Sequence, residues 1–313
     1  MNQFAFLFPG QGSQSVGMMS GFGDSPFIKQ TFTEASDILG VDFWAMVTEP
    51  NELLNLTQHT QPLMLTAGIA TWRAYIQAGG SLPSILAGHS LGEYAALVAA
   101  GSISFVDALP LVKYRAEVMQ GAVPEGVGAM AAILGLDDEI VRAVCVEAAQ
   151  NEAEIEVCEA VNFNSPGQVV IAGNKAAVER GMEIAKAKGA KRALALPVSV
   201  PSHCALMKPA AEKLAVYLAD VVVQVPQIPV VHNADVASYV AADEIKQALV
   251  RQLYSPVRWV ESVQAISAKG ISNSAECGPG KVLTGLTKRI VAELPCVAFI
   301  SNEAISEFIV NNN

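Results

Sequence analysis

Ser84-Ile85-Leu86-Ala87-Gly88-His89-Ser90-Leu91-Gly92-Glu93-Tyr94-Ala95-Ala96-Leu97-Val98-Ala99-Ala100 reads as a buried strand, a tight glycine turn and a helix. The strand is expected over residues 84–87 and the helix over 94–100. An apolar run without polar alternation fits a strand covered on both faces, and glycines let the chain reverse sharply where it leaves the sheet. The same signal opens the chain: Phe4 to Phe8 is wholly apolar and ends in Pro9-Gly10-Gln11-Gly12. A helix-compatible stretch over 60–78, with Pro62 near its start, lies between the two strands. Strand, helix, strand in this order predicts an α/β fold built on a parallel sheet. A G-x-S-x-G sequence between strand and helix also matches a nucleophile elbow, so the large domain is expected to be α/β-hydrolase-like.

Residues 126–198 follow another rhythm. A strand over 130–134, a helix over 137–150, strands over 157–163 and 168–172 about an Asn164-Ser165-Pro166-Gly167 turn, a helix over 175–188 and a strand over 192–198 give the order β, α, β, β, α, β. This predicts a small ferredoxin-like α+β subdomain. It would be an insertion, leaving 1–125 and 199–313 to form the large catalytic domain.

Composition narrows the class of function. With 20 Lys and Arg against 30 Asp and Glu the net charge is −10, which disfavours nonspecific nucleic-acid binding. Mean hydropathy is +0.35, yet Gly, Pro, Gln or charge interrupts every apolar run before the ~18 to 20 residues that a spanning helix needs. The start, Met1-Asn2-Gln3, has no positive charge and meets Pro9-Gly10 early, so it fails as a secretory signal and a cytoplasmic location is expected. Five cysteines without C-x-x-C spacing argue against disulfides and structural zinc and read as buried thiols, and no metal site is expected.

At the elbow, Ser90 would stand exposed at the strand end while the Leu91 N–H, at the helix N-terminus, faces a developing oxyanion. A serine needs a base, and histidine suits that task at neutral pH. Of the four histidines, His59 precedes a helix, and His89 adjoins Ser90 and cannot easily turn back on it. His232 sits at a strand end. His203, in a loop where the inserted unit returns, is preferred over His232. Cys204 would point away from His203 in an extended segment and is a poor rival nucleophile. A dinucleotide loop fails because Ser15 stands where a third glycine is needed, and a P-loop fails because Val282 follows Gly280-Lys281.

Seven blocks in register resemble the malonyl-CoA:acyl carrier protein transacylases of bacterial fatty acid synthesis. They are Phe8-Pro9-Gly10-Gln11-Gly12-Ser13, Gly88-His89-Ser90-Leu91-Gly92-Glu93, Tyr114-Arg115, Val161-Asn162-Phe163-Asn164-Ser165-Pro166-Gly167, Val200-Pro201-Ser202-His203, Gln252-Leu253-Tyr254-Ser255-Pro256-Val257 and Gly278-Pro279-Gly280-Lys281. The resemblance implies that Ser90 is acylated, that His203 is its base and that the backbone carbonyl of Gln252 orients the imidazole. It implies an oxyanion hole from the Gln11 and Leu91 amides. It also implies that Arg115, which alone would read as a surface charge on an amphipathic helix, grips the malonyl carboxylate. The substrates would be malonyl-CoA and the phosphopantetheine thiol of acyl carrier protein, with no cofactor, and the enzyme is expected to be a monomer.

A serine thioesterase or esterase using the same elbow is the alternative. It should present an acid before its histidine, but Asp137, Glu139 and Glu179 read as solvated helix faces. The carrier proteins of this family are acidic, so a local basic patch would have to offset the overall charge. Lys186, Lys188, Lys191 and Arg192 form the densest cluster; they are either a docking patch or cations complementing a helix end.

Overall fold

The first strand, β1 (Phe4–Phe8), is buried at every residue, and its two faces go to different cores. Phe4, Phe6 and Phe8 enter one cluster with the helices Pro26–Leu39, Thr57–Gln77 and Phe105–Gln120, whereas Ala5 and Leu7 pack on Trp259, Val263, Leu283 and Leu286 on the other side. Alternating side chains covered on both faces are the physical reason for the continuous apolar run. The computed structural model describes residues 3–150, 155–198 and 200–312. Met1, Asn2, Ser199 and Asn313, which enter the sequence reading at the chain start and at the domain limits, lie outside the described residues.

Eight further strands follow: β2 (Ile85–Gly88), β3 (Gly128–Leu134), β4 (Cys158–Ser165), β5 (Gln168–Asn174), β6 (Arg192–Ala195), β7 (Val230–Val231), β8 (Asn273–Glu276) and β9 (Cys296–Ala298). One sheet, in the order β7-β2-β1-β8-β9, is parallel throughout. The other, β4-β5-β3-β6, is antiparallel throughout and carries the helices Asp138–Ala148 and Lys175–Ala187 on its own core. The mixed α/β class with one parallel sheet and one separate antiparallel sheet is as expected. β4 is tied through backbone to the segment between the helices Ala242–Gln252 and Trp259–Ala268: the Val257 N–H donates to the Val161 carbonyl at 2.8 Å and the Phe163 N–H to the Val257 carbonyl at 3.0 Å.

Several boundaries differ from the sequence reading. The helix expected over 60–78 is Thr57–Gln77, so Pro62 lies inside it rather than near its start. The strand expected over 192–198 stops at Ala195; beyond it the Leu196 N–H still donates to the Met130 carbonyl at 2.9 Å, and Leu196 and Val198 line a pocket. β4 continues through Asn164 to Ser165 with two register shifts, which confines the turn to Pro166-Gly167, where Gly167 takes a φ of 70°. Cys296 is only partly buried, unlike the other four cysteines. The last helix, Asn302–Asn312, on which the sequence blocks say nothing, puts Phe308 edge-on against Phe4 and Phe6. No helix among the described residues is long and apolar enough to cross a membrane.

Candidate active site

The turn after β2 is built by close approach. A Cβ on Gly88 would lie 1.9 Å from the Gly92 carbonyl carbon, and one on Gly92 would lie 2.0 Å from the Phe8 oxygen. Only glycine fits at either position, and Ser90 between them is driven to a φ of 51°. Two side chains brace this strained residue. Asn233 Oδ1 accepts from the Ser90 N–H at 2.7 Å, and Gln252 Nε2 donates to the Ser90 carbonyl at 3.0 Å.

His203 comes to the same point from the loop after β6. Its φ is 65°, a left-handed rather than an extended conformation, and its N–H donates to the Leu253 carbonyl at 2.9 Å. The ring lies between two partners, with Nε2 2.8 Å from Ser90 Oγ and Nδ1 2.7 Å from the Gln252 carbonyl oxygen. A carbonyl can only accept, so the proton sits on Nδ1 and the Nε2 lone pair faces the hydroxyl. Burial and the Arg115 cation lower the His203 pKa to about 3, opposed by the hydrogen bond to Gln252. The imidazole is therefore neutral at pH 7 and available as a base.

The remaining histidines are engaged elsewhere. His89 Nε2 is 2.8 Å from Asn164 Oδ1 and its ring packs 5.4 Å from Trp259. His232, fully buried, places Nδ1 2.7 Å from Glu93 Oε1, and His59 Nε2 lies 3.4 Å from Gln58 Nε2, near the Lys113 cation. Cys204 is buried with its thiol on the Pro201 carbonyl, and burial pushes its pKa up to about 12. Asp137, Glu139 and Glu179 are exposed.

Arg115 does not lie on the surface, where its helix position taken alone would put it. It is 1% exposed, with Nη1 donating to Gln61 Oε1 at 2.8 Å and Nη2 to Gln252 Oε1 at 2.9 Å, and Nη2 is 3.4 Å from Ser90 Oγ. The guanidinium stacks over the Tyr94 ring at 5.4 Å, and Nε has no partner among the described residues. Burial lowers its pKa, yet a guanidinium starts so high that it stays charged. A buried cation held by neutral amides, beside a serine with a base, is suited to receive an anionic group on an acyl chain.

These groups face a cavity of about 140 Å³ lined by Gln11, Leu91, Met119, Met130, Asn162 and Val198 among others. The Gly92 amide bonds the His89 carbonyl and the Ser90 amide is taken by Asn233, whereas the Leu91 amide between them has no acceptor among the described residues. The structure thus brings together Ser90, His203, Arg115, Gln252, Leu91 and Gln11. Sequence reasoning missed Gln61, Asn233, Glu93 and the side chain of Gln252. These are neutral or acidic residues 54 to 162 positions from their partners, with no local spacing to reveal them. The basic residues Lys186, Lys188, Lys191 and Arg192 are all exposed, and Lys188 pairs with Glu147 at 3.1 Å. Arg192 starts β6, roughly 13 Å up the strand from Leu196 in the pocket at ~3.3 Å per residue.

Residues 5–303 match the family described as acyl transferase domain. The malonyl CoA-acyl carrier protein transacylase of Salmonella typhimurium is 57% identical over 308 residues, covering 98% of both chains. Among solved structures, an acyl-carrier-protein S-malonyltransferase from Burkholderia pseudomallei superposes with a TM-score of 0.96 at 58% identity, covering 98% of this chain and 99% of that one. A type II PKS acyl-carrier protein in complex with its malonyl-transacylase matches with a TM-score of 0.96 at 54% identity, over 99% of this chain and 100% of that one.

Proposed function

This chain belongs to the acyl transferase family, within it to the malonyl-CoA:acyl carrier protein transacylases, and from that premise we propose a two-step malonyl transfer through Ser90. In the first step His203 Nε2 takes the Ser90 proton as Oγ attacks the thioester carbonyl of malonyl-CoA. The Gln11 and Leu91 amides receive the oxyanion, and the malonyl carboxylate rests on Arg115. Collapse breaks the carbon–sulfur bond; the proton held by His203 goes to the departing CoA sulfur, leaving malonyl-Ser90.

The second step retraces the first. The phosphopantetheine thiol of acyl carrier protein gives its proton to His203 and attacks the malonyl ester. Collapse then returns the proton to Ser90 and releases the malonyl thioester of the carrier. The Gln252 carbonyl holds the imidazole tautomer throughout, so no buried acid is needed and the unit is a dyad. A malonyl-transacylase relative solved in complex with an acyl-carrier protein supports the carrier as acceptor. No cofactor takes part, and the enzyme would act as a cytoplasmic monomer.

The observation that carries this reading is the buried Arg115 guanidinium beside Ser90 Oγ, with no carboxylate of the protein on it among the described residues. An esterase for neutral acyl groups has no use for it. Initial velocities at several fixed carrier concentrations test the scheme. Parallel double-reciprocal lines against malonyl-CoA, with transfer outpacing release of free malonate, are expected. Intersecting lines, or malonate as the main product, would contradict it.

A further inference from the structure

The loop after β1 has to keep one backbone N–H free for a ligand, and a single side chain ties that loop down. The Gln11 N–H has no acceptor among the described residues, whereas the next one, of Gly12, donates to Gln14 Oε1 at 2.7 Å. A backbone N–H can only donate, so the Gln14 oxygen turns to Gly12 and its Nε2 is left to donate to Asn55 Oδ1, at 3.1 Å. On the other side of Gln11 the loop is wedged on the elbow: a Cβ on Gly10 would lie 2.5 Å from the His89 carbonyl oxygen and 3.8 Å from the Leu91 nitrogen. The side chain of Gln11 itself reaches only Thr57 Oγ1, at 3.5 Å. Gln14 thus joins the loop to the chain just before the helix Thr57–Gln77, whose Gln61 holds Arg115.

We propose that Gln14 is a positioning residue for the oxyanion hole: by tying the Gln11–Gly12 peptide to Asn55 it keeps the Gln11 N–H aimed at the carbonyl oxygen of the acyl group on Ser90. The inference rests on the reading that the Gln11 amide receives the oxyanion. Glycines on either side of Gln11 leave its two peptide planes free to turn. The elbow holds Gly10 and the Gln14 side chain holds the Gln11–Gly12 peptide, so the peptide between them, which carries the Gln11 N–H, is fixed from both ends. Without Gln14 one end is released. A donor aimed beforehand stabilises charge without reorganising as the charge develops, and a donor free to swing loses that advantage. The Gln14 side chain bonds Gly12 and Asn55 rather than Ser90, His203 or Arg115, so the base and the carboxylate site are spared.

The test compares wild type, Gln14→Met, Asn55→Ala and the double variant in two measurements, with thermal midpoints alongside. One is single-turnover acylation by malonyl-CoA and acetyl-CoA. The other is the infrared band of the malonyl-Ser90 ester made from malonyl-CoA carrying 13C at the thioester carbonyl, because donors aimed at that oxygen lower its stretching frequency. Gln14→Met, which keeps the length of the side chain, should slow acylation at saturating thioester about three- to tenfold, short of the ~100- to ~1,000-fold that deleting an oxyanion donor costs. Half-saturation should stay within about twofold, both thioesters should lose alike since they present the same carbonyl, and the ester band should move to higher frequency. Asn55→Ala should act in the same direction, and the double variant should be no worse than the poorer single, because both cut one link. An unchanged rate, additive losses, a loss confined to malonyl-CoA or to half-saturation, or a slower rate with a lower thermal midpoint and an unmoved band would each overturn the proposal while leaving the oxyanion hole intact. A wild-type band no lower than that of the denatured acyl-enzyme instead sinks the underlying reading, and the inference with it. Should Gln14→Met fail to fold, Asn55→Ala, at an exposed position, decides by the same band.

Discussion

His203 meets a guanidinium across the hydroxyl it is to deprotonate, and this cation is one cause of its low pKa, after burial. The sign of the consequence follows directly. The folded-state value, about 3, lies below the unfolded 6.5, so between those limits the unfolded chain takes up a proton that the native chain refuses. This contribution to stability is present above pH 6.5 and is lost as the pH falls toward 3. For catalysis the same depression keeps the base active in acid. Acylation of the free enzyme by acetyl-CoA, which makes no demand on Arg115, should persist well below pH 6.5 in wild type. Removing the cation in Arg115→Ala should move the acid limb upward. Single-turnover acylation across pH 4 to 7 checks this, and coincident limbs would show that Arg115 does not set the histidine's basicity.

At the scale of elements, the turn between β2 and the helix Gly92–Ala99 depends on the absence of two side chains. A Cβ on Gly92 meets a backbone oxygen of β1 that cannot give way, so Gly92→Ala should destabilise by about 1 to 3 kcal/mol or more and lower acylation with it. Gly285 is the contrast: it lies within the helix Val282–Ile290 with nothing within 4 Å of its Cβ position. Gly285→Ala should stabilise by about 0.4 to 1 kcal/mol. Thermal unfolding of both variants checks the pair, and a Gly92→Ala protein as stable as wild type would contradict the account of the elbow. This turn was readable because its signal is local: apolar strand, two glycines four apart, helix. The β, α, β, β, α, β order of 126–198 was readable for the same reason. The early end of β6 was not, because Leu196 and Val198 are apolar whether they enter a sheet or line a pocket. Gln61 and Asn233 were hidden too, since an amide acquires its role only when packing brings it to Arg115 or to Ser90.

At the scale of the whole molecule, the site exists because two sheets meet. The parallel sheet supplies Ser90 at a strand end, and the chain returning from the antiparallel sheet supplies His203. Met130, Asn162, Leu196 and Val198, all from the segment that carries the antiparallel sheet, line the cavity, and the backbone bonds of Val257 hold β4 against it. The most direct test of malonyl storage on Ser90 is intact-mass analysis after brief exposure to malonyl-CoA. The account predicts one malonyl adduct on wild type, discharged by holo acyl carrier protein, and none on Ser90→Ala. An adduct that survives on Ser90→Ala, or no adduct on wild type while transfer proceeds, would contradict it.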